Sequence, residues 1–546
     1  MKGIDAVAKV LKIEGVEYLF CFPANTLIDA SAKIGIRPIM ARTERTLINM
    51  ADGFSRISNG ERIGVAVVQR GPGSENAFGG VAQAYSDSVP ILVLPGGLSR
   101  RSLGIPTNFE AVRNYTGVTK WVAQVNVADR IPEMMRRAFS LLRMGHPGPV
   151  MLETLQDVED EEIDDDFAYT PPKPVKPAGD LQDIEGAVKA LLAAEHPMLH
   201  VGQGALYADA SEELMKFAEM LQVPVMTTMA GKSVFPENHP LSIGASGYSG
   251  TGMVKHFLNK ADLVFGIGCS FSKSIMATPI PSGKVLVQNS IDELDINKDY
   301  AVDHAILGDS RIVLNQLIEE AKKQLGDEAP RDRKAVVDEI KTVKANWLSE
   351  WMPKLTSDEI PINPYRVIWD LMHAVDRTQS IATHDSGNPR DQMLPFYETI
   401  APRSYIGWGK STQLGYGLGL TMGAKLAAPE KLALNVMGDA AFGMAGLDFE
   451  TAARERIPIL TILLNNSALG GYEKHMPVAT ERYGTKFLTG DYAKVAEGLG
   501  GYSEKVESPA EIIPAIHRCQ KALEDGKPAL LEIITCEEGI VFSRGF

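Results

Sequence analysis

The chain has 546 residues, 45% hydrophobic and 23% charged. This excludes wholesale disorder and, at about 100–200 residues per domain, implies roughly three domains. Lys+Arg total 55 against 69 for Asp+Glu, and the net charge of −14 argues against a general nucleic-acid or acidic-membrane binder, while leaving room for a local basic pocket for one anionic ligand. The four cysteines, Cys21, Cys269, Cys519 and Cys536, form no CxxC pair, which argues against a disulfide framework or a zinc site and for a reducing, cytoplasmic compartment.

Residues 1–11 carry Asp5 and Lys9 and no apolar signal-peptide core, so no secretion signal is expected. Short runs rich in Val, Ile and Leu then recur at 16–22, 37–42, 63–69, 90–95 and 150–155. Helical patterns lie between them, such as 44–58 and 75–86. That rhythm predicts a parallel sheet covered on both faces. Residues 157–180 break it with the acidic run 159–166 and with Pro171, Pro172, Pro174 and Pro177, which read as an extended, solvated linker. A second α/β segment has strand candidates at 198–201, 223–228, 263–267 and 285–287, followed by a charged helix over 312–351. A third has strands at 380–384, 433–437, 459–464 and 530–535. No run is long enough to cross a bilayer. The expected fold class is α/β, with three doubly wound parallel-sheet domains: 1–160, a linker 161–180, then 181–345 and 346–546. The first and third share size and rhythm.

The most specific chemistry lies in the third segment. Gly438-Asp439-Ala440-Ala441 follows one strand, and the next strand ends in Asn465-Asn466. Parallel strands end on one face, where ligands bind. Asp439 and Asn466 would there present hard oxygens side by side, which suits Mg²⁺ completed by phosphate and water. Each piece alone reads as a turn or helix cap; together they favour a metal–diphosphate site. Glu44, directly after a strand, is either a helix-capping acid or a catalytic one. Gly71-Pro72-Gly73 is a glycine-rich turn that does not fit a dinucleotide fingerprint.

The chain resembles the thiamine diphosphate-dependent enzymes of the acetohydroxyacid synthase and 2-oxo acid decarboxylase superfamily almost end to end. The resemblance is carried by Phe22-Pro23, Glu44 with 51–56 (Ala-Asp-Gly-Phe-Ser-Arg), 71–76, 84–90 (Ala-Tyr-Ser-Asp-Ser-Val-Pro), Gly148-Pro149-Val150, and Asp439 to Asn466. It implies pyrimidine-binding, middle and diphosphate-binding domains, in that order. It also implies an active site between subunits, hence at least a homodimer and commonly a homotetramer. Glu44 would share a proton with the cofactor's aminopyrimidine. Leu414 would support the bent cofactor, and the Gln413 carbonyl would accept from its amino group. Asp439, Asn466 and the Ala468 carbonyl would bind Mg²⁺. Gly387 and Asn388 match the loop that touches the diphosphate, alongside Gly438, Ala440, Ala441, Leu469 and Gly470. Ala440 replaces a family glycine. Asn25, Gln69 and His475 fall where substrate-facing polar groups are expected, with a structural role as the alternative for each.

Within the superfamily the resemblance points to a carboligase or lyase acting on 2-oxo acids, like acetolactate synthase. The absence of histidine before His146 disfavours pyruvate decarboxylase-type machinery. The stretch 441–451 is closer to oxalyl-CoA decarboxylase and 2-hydroxyacyl-CoA lyase, which makes an acyl-CoA the alternative substrate. Asn108-Phe109-Glu110 stands where the synthases have Phe-Gln, and 266–273 lacks the arginine of their flavin site. FAD in the middle domain is therefore disfavoured; ADP, CoA or no nucleotide at all are the alternatives. A non-catalytic cofactor-binding paralogue is a further alternative, opposed by the joint presence of Glu44, Asp439 and Asn466.

Overall fold

Three six-stranded sheets, parallel throughout, organise the computed structural model, which describes residues 1–326, 333 and 335–539. The first holds β1 (Tyr18–Cys21), β2 (Arg37–Met40), β3 (Gly64–Val68), β4 (Ile91–Pro95), β5 (Trp121–Val125) and β6 (Val150–Thr154), in the spatial order 2-1-3-4-6-5. The second holds β7 (Pro197–Val201), β8 (Val225–Thr228), β9 (Ser242–Ser246), β10 (Leu263–Ile267), β11 (Val285–Ser290) and β12 (His304–Leu307), in the order 12-11-10-7-8-9. The third holds β13 (Ser380–His384), β14 (Tyr405–Ile406), β15 (Leu432–Gly438), β16 (Ile459–Asn465), β17 (Tyr502–Val506) and β18 (Ala529–Ile534), in the order 14-13-15-16-18-17.

Renumbered within each sheet, the first and third share one order, and the second has the 3-2-1-4-5-6 order of dinucleotide-binding folds. The three-domain α/β expectation is met. The central strands were legible because β3, β4, β6 and β16 are buried along their whole length by helices on both faces.

The helices Glu44–Ile57 and Tyr416–Ala427 join the first and third domains. They approach through glycine: a Cβ on Gly53 would stand 2.0 Å from the Leu420 carbonyl oxygen, and one on Gly423 would stand 1.9 Å from that of Met50. Beside them lies a buried polar network. Arg56 donates to Asp52 at 2.5 Å and to Asp87 at 3.2 Å, and Tyr416 Oη donates to Asp52 at 2.9 Å. This accounts for the Asp52–Arg56 and Asp87 motifs: a charge is buried only where it is paired.

Several expectations need correction. Strands β5, β9, β12, β14 and β17 have no counterpart among the predicted runs. Most are half-exposed or very short edge strands, and β9 is built from small residues. The predicted helix over 312–351 is two helices, Ser310–Leu325 and Ala335–Leu355, the first ending at Gly326 with φ +54°. The acidic run does not simply float in solvent. Gln156–Asp160 is helical, Lys2 pairs with Asp160 at 2.8 Å, and the N-terminal ammonium pairs with Asp165.

Among the described residues no helix is long and apolar enough to cross a membrane. All four cysteines are free. The C-terminal tail, residues 541–546, lies outside the described residues.

Candidate functional site

Three neighbouring strands of the third sheet end at one edge. β13 runs into Asp385, and Gly387, at φ +84°, turns the chain into the helix Asn388–Phe396. Glycine suits that left-handed turn because it carries no Cβ. β15 closes at Gly438, which caps the helix Asp439–Ala445, and β16 closes at Asn465. The parallel pairing of β13 with β15 and of β15 with β16 sets these three ends side by side.

Asp439 is buried, its Oδ1 accepts from the Ala440 N–H at 2.8 Å, and its Oδ2 has no hydrogen-bond partner. Burial raises its pKa against the pull of the nearby Ala440, Ser467 and Ala468 N–H groups. An under-compensated carboxylate oxygen of this kind fits a cation. Asn466 Oδ1 accepts from the Ala468 N–H at 3.0 Å, which curls the loop over the strand end. A Cβ on Gly470 would stand 2.9 Å from Asn388 Nδ2 and 3.5 Å from Asn466 Nδ2, so the two amides converge there. The Leu469 N–H donates to the Lys486 carbonyl at 2.8 Å, and Ala468 bridges Phe487. Ala441 is buried behind this edge, and Ala440 and Gly438 are half-buried. Asn465, the other member of the pair, is spent internally: its amide donates to Glu532 at 2.7 Å.

Glu44 sits in the first turn of its helix, 7% exposed. The cap is Thr43, whose hydroxyl accepts from the Thr46 N–H at 3.2 Å. The capping duty is thus already filled, and the Glu44 carboxylate receives Asn76 Nδ2 at 3.4 Å. Asp448 ties this turn to the third domain, accepting from the Arg42 N–H at 2.7 Å and from Thr43 Oγ1 at 2.9 Å. Leu414 is half-buried against the core shared by the first and third domains, and the Gln413 N–H donates to Gln83 Oε1 at 3.3 Å.

Three predicted residues remain. Asn25 uses its amide as a clip: Nδ2 donates to the Val68 carbonyl at 3.0 Å and the Leu94 carbonyl at 3.4 Å, and Oδ1 accepts from the Leu27 N–H. Gln69 is half-buried at the end of β3, and His475 is exposed in the turn Glu473–His475.

Sequence reasoning assigned no part to Asp385, Asp448, Gln83 or Asp87. Asp385 is fully buried and accepts the N–H groups of Ser386, Gly415 and Gly417 at 2.8–2.9 Å; burial pushes its pKa up to about 6. Its place between a strand end and Ser386-Gly387 was the available signal.

A cavity of about 710 Å³ lies beyond the ends of β7 and β10, where the strand order of the middle sheet reverses, and is walled also by the first domain, the linker and the loop at Gly409. Gly202, His200, Cys269, Phe271, Ser290 and Lys410 are among its walls. Gly202 and Gly268 serve close packing there, since a Cβ on Gly202 would stand 2.2 Å from the Gly268 oxygen.

Three domain families match the chain in succession. The thiamine pyrophosphate enzyme N-terminal TPP binding domain covers residues 1–125, the central domain 184–317, and the C-terminal TPP binding domain 385–533. The chain is 31% identical over 555 residues to a probable acetolactate synthase large subunit of Methanococcus aeolicus, covering 97% of this chain and 92% of the relative. It is 32% identical to a protein of the same description from Methanocaldococcus jannaschii, covering 98% and 92%. It is 29% identical to the glyoxylate carboligase of Escherichia coli O157:H7, covering 98% and 93%. An architecture of two like-ordered sheets around a differently ordered one, matched domain by domain along its length, places this chain in the thiamine pyrophosphate enzyme family.

Proposed function

We propose that the protein is a thiamine diphosphate- and Mg²⁺-dependent carboligase or lyase acting on 2-oxo acids, similar in activity to acetolactate synthase. The observation that carries this reading is the unpartnered, buried Asp439 Oδ2 beside Asn466 at the strand ends of the third sheet. When bound, thiamine diphosphate supplies a carbon nucleophile and an electron sink for bond making or breaking beside a carbonyl.

The chain's own residues supply the rest. Asp439, Asn466 and the Ala468 carbonyl hold the metal. Gly387, Asn388, Gly438, Ala440, Ala441, Leu469 and Gly470 surround the diphosphate. Gln413 and Leu414 hold and support the pyrimidine side, and Glu44 holds or shares the proton on the aminopyrimidine. A buried carboxylate relieved of capping suits that last task. Gln69 and His475 stand as candidates for substrate contact. For Asn25 the clip to Val68 and Leu94 supports a positioning role instead.

The site is shared between two copies, with Glu44 contributed across the interface, in a homodimer or a homotetramer. The exposed Met444, Leu447, Tyr472 and Phe487 flank the Asp439 helix and the metal loop, and they support coverage by a second copy. The domains run 1–160, 181–345 and 346–546 around the linker 161–180. The middle cavity has the size and place of a nucleotide site. An absorption spectrum of the purified protein separates FAD from ADP, CoA or no ligand.

Turnover of a panel of 2-oxo acids, with and without thiamine diphosphate and Mg²⁺, tests the assignment. Cofactor-dependent product from a 2-oxo acid is expected. Product only from 2-hydroxyacyl-CoA or oxalyl-CoA would move the enzyme to that branch. Cofactor binding without any turnover would make it a non-catalytic paralogue.

A further inference from the structure

We propose that Gln83 and Asp87 are positioning residues that fix the loop 409–415, and through it Gln413 and Leu414, in the shape needed for turnover. The proposal rests on the functional reading above. The loop leads from β14 to the helix Tyr416–Ala427 and carries three left-handed residues: Gly409 (φ +135°), Thr412 (φ +56°) and Gly415 (φ +79°). A β-branched residue is disfavoured in that region, so the loop keeps its shape only while its surroundings over-determine it.

It is gripped from two domains. On its own side, Asp385 accepts from the Gly415 N–H at 2.8 Å, and Ser386 Oγ donates to the Thr412 carbonyl at 2.9 Å. From the N-terminal domain, Asp87 accepts from the Gly409 and Lys410 N–H groups, each at 3.3 Å, and Gln83 Oε1 accepts from the Gln413 N–H at 3.3 Å. Gln83 Nε2 donates to Asp87 Oδ2 at 2.6 Å, and Arg56 donates to the same oxygen at 3.2 Å, so the two acceptors are aimed by one another and by Arg56. Both side chains are wholly buried at the end of the helix Pro72–Ser86. Their acceptor capacity serves the backbone of another domain, up to the residue before Leu414.

The test uses the full-length protein with saturating thiamine diphosphate and Mg²⁺, comparing the parent with Asp87→Asn and the milder Gln83→Met. Measured are kcat, KM for the 2-oxo acid, the melting temperature, and the near-ultraviolet circular dichroism of the bound cofactor. The expected result is a fall in kcat of about 10- to 100-fold with KM within about threefold, and an altered dichroic signature. If Asp87→Asn does not fold, Gln83→Met decides. A lowered melting temperature with kcat and the signature unchanged makes the pair domain adhesive and overturns the proposal; so does a variant that matches the parent throughout. A parent that neither binds the cofactor with Mg²⁺ nor turns over any 2-oxo acid overturns the functional reading, and this proposal with it.

Discussion

The first and third sheets share one strand order but end their strands in different chemistry. After β3 the chain turns through Gly71-Pro72 into a helix; after β15, at the same place in the order, it turns through Gly438-Asp439. After β1 the polar residue is Asn25, whose amide is consumed by backbone; after β13 come Gly387 and Asn388, the latter beside Asn466 across Gly470. After β2 stands the buried Glu44, and after β14 the glycine-rich loop leading to Tyr416. The helices that follow these last two strands then pack against each other. One scaffold used twice thus yields an acid on one side and a cation-seeking edge on the other. Function resides in what is placed at the strand ends, not in the topology.

Two substitutions test that division most severely. Glu44→Gln removes the acid from the first-sheet side and leaves the third-sheet edge intact. It should lower kcat by about 10³-fold or more while Mg²⁺-dependent cofactor binding stays near that of the parent. Parallel turnover and calorimetric titration check this, and unchanged turnover removes Glu44 from the chemistry. Asp439→Asn does the reverse. Loss of this carboxylate, whose buried Oδ2 has no hydrogen-bond partner, should weaken Mg²⁺-dependent thiamine diphosphate affinity about 100-fold. Equal affinity in both proteins would erase the asymmetry between the two edges.

The helix pair that joins the related sheets is a third point of attack. Gly423→Ala puts a methyl 1.9 Å from the Met50 oxygen, so backbone must move. A loss of about 3 kcal/mol is expected in denaturant unfolding, at the upper end of ordinary overpacking. A loss under about 0.5 kcal/mol, the range of an ordinary surface change, would mean the helices are not in contact.

Asp385 gives a pH handle on the third-sheet side. Burial pushes its pKa up to about 6, so the folded chain keeps a proton that an unfolded aspartate releases near pH 3.9. The stability contributed by this group is complete below about pH 4 and is lost as pH rises through about 6. Between those limits the parent should lose roughly 2–3 kcal/mol relative to Asp385→Asn, read from unfolding midpoints of the cofactor-free proteins. Parallel pH curves for the two proteins would contradict the assignment.

The sequence disclosed what depends on local pattern. Apolar runs revealed the central strands, because burial on both faces demands them. Asp439 and Asn466 stood out because each follows such a run. Edge strands such as β17, Tyr-Ser-Glu-Lys-Val, escaped because their half-exposed residues carry no apolar signature. Asp87 was part of a recognised motif, but its role escaped for a different reason: its partner Gly409 lies 322 residues away, and a backbone N–H leaves no mark in the sequence. The acidic run was legible as charge but not as a partner of Lys2 and the N-terminus.

The smallest expected effect concerns Asn25, predicted from the resemblance to face substrate. Both of its amide hydrogens and its oxygen are engaged by backbone between the β1 turn, β3 and β4. A side chain so committed has little left to offer a ligand without releasing a carbonyl. Asn25→Ala should therefore cost about 1 kcal/mol of stability, the usual net value of such bonds, with kcat and KM within about twofold. Thermal melts and steady-state kinetics measured side by side decide it. A large loss of kcat at unchanged stability would return Asn25 to the substrate and make the first-sheet edge more than a carrier of Glu44.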